Sequence, residues 1–67
     1  MTAFEKKLLE RIRLAGDDGM KGVEIARETM NWPFTMGVLD ALVTEGLLIK
    51  RVIAGTVEYA CPPTRHP

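Results

Sequence analysis

Leu39-Asp40-Ala41-Leu42-Val43-Thr44-Glu45-Gly46-Leu47-Leu48-Ile49-Lys50-Arg51-Val52 is the stretch on which the fold turns. Up to Glu45 its apolar residues recur at helical spacing, and Thr35, Val38, Leu39 and Leu42 share one face. Gly46 stands where a helix ends in a left-handed residue, a conformation glycine reaches without steric strain. Beyond it the residues turn β-branched and apolar, so 47–52 read as a strand. A helix therefore passes through a glycine stop straight into a strand. Ile53-Ala54-Gly55-Thr56 supplies a turn, and Val57-Glu58-Tyr59-Ala60-Cys61 alternates as a second strand, completing a β-hairpin.

Working back toward the N-terminus, Asn31-Trp32-Pro33 marks where that helix begins. Asparagine is a favoured N-cap, and proline in the first turn loses nothing by lacking an N–H. Residues 21–28 read as a shorter helix with Val23, Ala26 and Met30 inward and Ile25 near the edge of that face. Met20 before it suits a single strand-like bridge. Gly16-Asp17-Asp18-Gly19 is a loop. Residues 2–15 form a first helix, with Thr2 and Glu5 spaced as a capping box. Phe4, Leu8, Leu9, Ile12 and Ala15 make its apolar stripe, and Lys6 and Glu10 are spaced for an ion pair on its solvent face.

Neither three short helices nor a lone hairpin is stable at this size, so each must cover the other. The expected fold class is mainly α with a small β-hairpin: a three-helix core closed on one side by a two-stranded ribbon. A single domain over residues 1–61 is expected, followed by a flexible proline-rich tail over residues 62–67.

Composition narrows the function classes. A chain of 67 residues has room for one small core and none for a cleft between two lobes. Nine basic and nine acidic side chains give zero net charge, unlike a protein held on nucleic acid by an overall basic field. One cysteine forms no internal disulfide, and no apolar run suits a signal peptide or a membrane span. A cytoplasmic location without membrane contact is expected.

Catalytic chemistry finds little to work with. His66 lies between an arginine and the terminal proline, and Cys61 ends a strand with no histidine near it in sequence. One cysteine and one histidine do not make a metal site, and the Asp17-Asp18 loop lacks the ligand count of a calcium loop. No glycine-rich phosphate loop is present. The chain reads as a non-enzyme with no cofactor, no metal and no small-molecule substrate.

The first helix, the Gly22-Val23-Glu24-Ile25-Ala26-Arg27 segment and the Leu39-x-x-Leu42-x-x-Glu45-Gly46-Leu47-Leu48 run together resemble a winged helix-turn-helix domain. The last of these is similar to the junction found across winged-helix regulators, including those of the MarR type. The resemblance spans residues 4–60 and implies a three-helix winged helix-turn-helix fold, with the third helix in the DNA major groove and the wing on the backbone or the minor groove. It therefore implies a small DNA-binding regulator or accessory factor. Lys21, Asn31, Thr35, Lys50 and Arg51 are the residues this reading assigns to nucleic acid, with Lys21, Lys50 and Arg51 on phosphates.

The same fold also serves as a protein-interaction module. Residues 31–45 carry no lysine or arginine, whereas base readout and phosphate anchoring both draw on such groups. Trp32, Phe34, Met36 and Gly37 stand there instead. They form either an apolar contact face for a protein partner or a second copy of the chain, or, for Trp32 and Phe34, part of the core of a domain with few other aromatics.

Overall fold

The computed structural model describes residues 1–63. Helix α1 (Ala3–Leu14) leads through a 3-10 turn (Gly16–Asp18) to a short strand β1 (Met20–Lys21). Helix α2 (Gly22–Thr29), helix α3 (Trp32–Thr44) and strands β2 (Ile49–Ile53) and β3 (Thr56–Ala60) follow. The result is three helices packed on a small antiparallel sheet.

The local signals act as their chemistry requires. At the start of α1 the Thr2 hydroxyl accepts from the Glu5 N–H at 3.1 Å, and the Glu5 carboxylate accepts from the Thr2 N–H at 2.9 Å. The Thr2 N–H, and after it the Thr2 hydroxyl, hold the Glu5 carboxyl below its ordinary value. At the end of α3, Gly46 takes φ +81° and donates to the Val43 carbonyl at 3.0 Å. Leu47 donates to the Leu42 carbonyl at 2.9 Å, which completes a Schellman motif. Leu48 adds a longer bond to the same carbonyl at 3.3 Å. The helix is thereby tied to the entry of β2.

The sheet holds three strands where the hairpin alone supplies two. Its order is β1-β3-β2, with Met20 opposite Tyr59 and Lys21 opposite Glu58. The bridge expected at Met20 is thus a two-residue strand. β2 and β3 pair from Ile49 opposite Ala60 to Ile53 opposite Thr56, joined by Ala54-Gly55 with both residues at positive φ, as a tight hairpin turn requires.

Leu8, Ile12, Met20, Ile25, Leu39, Leu42, Leu48 and Tyr59 form the core. It lies where the inner faces of the helices meet β1 and β3. Full burial of one such side chain contributes roughly 1.5–3 kcal/mol. A domain this small has a net stability of only a few kcal/mol, so each is individually important. Burial, and secondarily the Asp40 carboxylate, push the Tyr59 phenol above its ordinary pKa.

Two expectations for the helices are corrected. Helix α2 buries Gly22 and Ile25, half-buries Ala26 and leaves Val23 and Met30 exposed, so its inner face is rotated from the expected one toward Ile25. The Gly22 backbone lies beside the Trp32 indole, and the side of the helix carrying Gly22, Ile25 and Thr29 faces inward. Met30 caps α2 in the left-handed conformation (φ 58°) and projects away from the core, 89% exposed. The Lys6–Glu10 pair does not form: Glu10 pairs with Arg13, and Arg11 reaches across to Glu28 on α2 in a two-pronged bond of 3.0 and 2.9 Å.

No helix among the described residues is long and apolar enough to cross a membrane. Of the tail expected over residues 62–67, Pro62 and Pro63 have no regular structure, and the remainder, with His66, lies outside the described residues.

Candidate functional site

The surface singled out by the sequence is the solvent side of α3, flanked by the start of α2 and the β2–β3 hairpin. Asn31 occupies the cap position of α3, but its side chain makes no capping bond (φ −139°, ψ 74°), and its amide is left exposed at the first turn. Pro33 lies in that turn, where its missing N–H breaks no bond.

The five residues assigned to nucleic acid separate sharply. Thr35 is fully buried on the same stripe of α3 as Leu39 and Leu42, so it faces the core and touches no partner. Its Oγ1 atom makes no hydrogen bond. Arg51 is engaged inside the fold. One guanidinium nitrogen donates to the carbonyls of Asp17 at 3.0 Å and Asp18 at 3.1 Å, and lies 3.8 Å from the Glu58 carboxylate. A phosphate contact from Arg51 would have to displace these internal partners. Lys21 and Lys50 remain exposed, and neither forms an ion pair among the described residues. The Lys21 N–H donates to the Glu24 carboxylate at 3.1 Å, closing the start of α2.

The apolar candidates divide as well. Trp32 is half-buried and packs against the core cluster, with its indole edge 3.6 Å from where a Gly22 Cβ would lie. It forms one wall of a groove of about 460 Å³, with Gly22, Val23, Gly55 and Val57 among the other lining residues and no charged side chain in the lining. Phe34 lies 5.3 Å, ring centre to ring centre, from Phe4 of α1 and is still 56% exposed. Met36 is 41% exposed, and the space around Gly37 is open. Of the two aromatics, Trp32 thus serves partly as core and Phe34 chiefly as surface.

Val23 lines the groove and Met30 stands exposed at the end of α2, although both were expected to face inward. The only sequence sign of Met30's exposure is that it directly precedes the Asn31 cap, where a chain leaving one helix for another must turn.

Elsewhere Cys61 is half-buried, with its sulfur 4.0 Å from the Leu9 carbonyl. Burial pushes its thiol pKa up, against a smaller lowering by Arg13. That environment favours an inert thiol over a nucleophile. Among the described residues no three His, Cys, Asp or Glu side chains gather as metal ligands. The arrangement suits binding: an exposed helix side that is apolar apart from Asp40, beside a groove with no charged lining. The chain matches no family model, no curated protein and no solved structure.

Proposed function

We propose that the chain is a winged-helix module that binds another protein, without catalysis and without a cofactor, through the apolar solvent face of α3. The element order, with a short strand before the second helix and a hairpin after the third, supports the winged helix-turn-helix resemblance. The observation that carries the choice of partner is the composition of the α3 face. Phe34 and Met36 stand exposed at the two edges of its solvent side, Asp40 is the one charged side chain of the helix, and no cation is present. Aromatic and methionine side chains are enriched in protein interfaces, where a few buried anchors carry most of the binding free energy. The cytoplasm, where a lone thiol stays reduced, is the compartment this reading assumes.

Affinity capture with the wild-type chain and with a Phe34→Glu/Met36→Glu variant tests it, with circular dichroism to establish that both are folded. A partner protein held by the first and lost by the second supports the reading. Identical capture profiles overturn it.

A second reading is DNA association, with the chain as a regulator or accessory factor. The observation that favours it is that Lys21 and Lys50 are exposed and unpaired among the described residues, while the Asn31 amide is uncommitted. Such contacts grip phosphate and carry little sequence choice. Binding would weaken with salt, and Lys21→Ala or Lys50→Ala would each reduce the logarithmic salt slope by about 1. Absence of retention on duplex DNA at low salt removes this reading.

A further inference from the structure

Helix α1 presents a second surface, on the side turned from its buried Leu8 and Ile12. Ala3, Lys7, Glu10 and Leu14 are all exposed there. Successive helical residues are turned by about 100°, so spacings of four, three and four place these side chains within an arc of about 60°. Leu14 is 73% exposed. Lys7, Glu10 and Leu14 also border a groove of about 550 Å³ between α1 and α2, which Phe4, Leu8 and Thr29 help to line.

The four-three-four spacing is that of heptad positions d, a, d and a. When two such helices pack antiparallel, each a position meets a d position of the neighbour. Lys7 then faces the second copy's Glu10, and Glu10 faces the second copy's Lys7. At each end Leu14 faces the second copy's Ala3, a large side chain over a small one. Every layer of the ridge is complementary to itself under a two-fold axis. In the parallel arrangement Lys7 would meet Lys7 and Glu10 would meet Glu10, so the charges select the antiparallel one. Arg13 engages only Oε2 of Glu10, which leaves Oε1 for the second copy, and Lys7 forms no ion pair among the described residues.

We propose that this ridge docks a second copy of the chain, giving a two-fold dimer through antiparallel α1 helices. The proposal does not rest on the role given to α3. Sedimentation velocity of the full chain, from micromolar to millimolar concentration at low salt, tests it on wild type, Lys7→Glu, Glu10→Lys and the Lys7→Glu/Glu10→Lys double variant. Circular dichroism establishes that all four are folded, which surface substitutions should leave intact. The expected result is a wild-type dimer, weakened about tenfold or more by either single reversal and restored by the double swap. A monomeric wild type, single variants that associate like wild type, or a double variant as weak as the singles would each overturn it.

Discussion

Gly19 lies against the backbone of Tyr59: a Cβ at this position would come within 2.9 Å of the Tyr59 carbonyl carbon and 2.7 Å of the Ala60 Cβ. Its backbone, at φ 67° and ψ −156°, occupies a region essentially reserved to glycine. This closeness lets β1 leave the 3-10 turn and pair at once with β3. Gly19→Ala is therefore expected to destabilise by roughly 3 kcal/mol or more, from backbone strain and overpacking together. In a domain this size that removes much of the folded population. Urea unfolding followed by circular dichroism checks it, and a wild-type midpoint would contradict the close packing.

Arg51 joins the hairpin to the 3-10 turn through two carbonyls. Arg51→Met keeps much of the aliphatic stem and removes those bonds, at an expected loss of about 1–3 kcal/mol. Arg51→Lys is expected to recover only part of it, because an ammonium is more strongly hydrated than a guanidinium and gives up more on leaving water. Thermal melts of the three proteins provide the comparison.

Thr35 buries a hydroxyl with no hydrogen-bond partner. Thr35→Val is close in shape and removes the unpaired group, so stability should rise by about 1 kcal/mol. A fall on substitution would show that the hydroxyl is bonded in solution.

Gly37 sits in the interior of α3 with open space where a side chain would lie. Gly37→Ala should stabilise the domain by about 0.5–1 kcal/mol through helix propensity. The same change should weaken capture of a partner whose backbone comes close at this point. Stability that rises while capture is unaltered would place the contact elsewhere on α3.

Most of the architecture could be read from local chemistry. The Thr2–Glu5 box, Pro33 in the first turn of α3 and the Gly46 stop each act within a few residues, so their geometry is written in adjacent side chains, whereas the capping bond expected of Asn31 does not form. The orientation of α2 was not legible, because Val23, Ile25 and Ala26 are all apolar and leave more than one face open, and the packing of Trp32 beside Gly22 that accompanies the observed one is a tertiary contact. Arg51 was misjudged for a different reason. Its partners, Asp17 and Asp18, lie more than thirty positions away and offer backbone carbonyls, which no residue pattern advertises. The apolar character of α3 was legible, since it follows from composition alone. The share of Trp32 and Phe34 between core and surface needed the packing of α1 and α2 against that helix.

The Leu42 carbonyl receives both Leu47 and Leu48 and so acts as a fixed joint between α3 and the hairpin. A joint of this kind changes what a partner experiences. Were the two arms free to swing, a ligand touching both would have to arrest their relative motion and lose affinity in doing so. Held at Leu42, α3 and the hairpin are already set before any encounter, so a molecule recognising one arm finds the other in place.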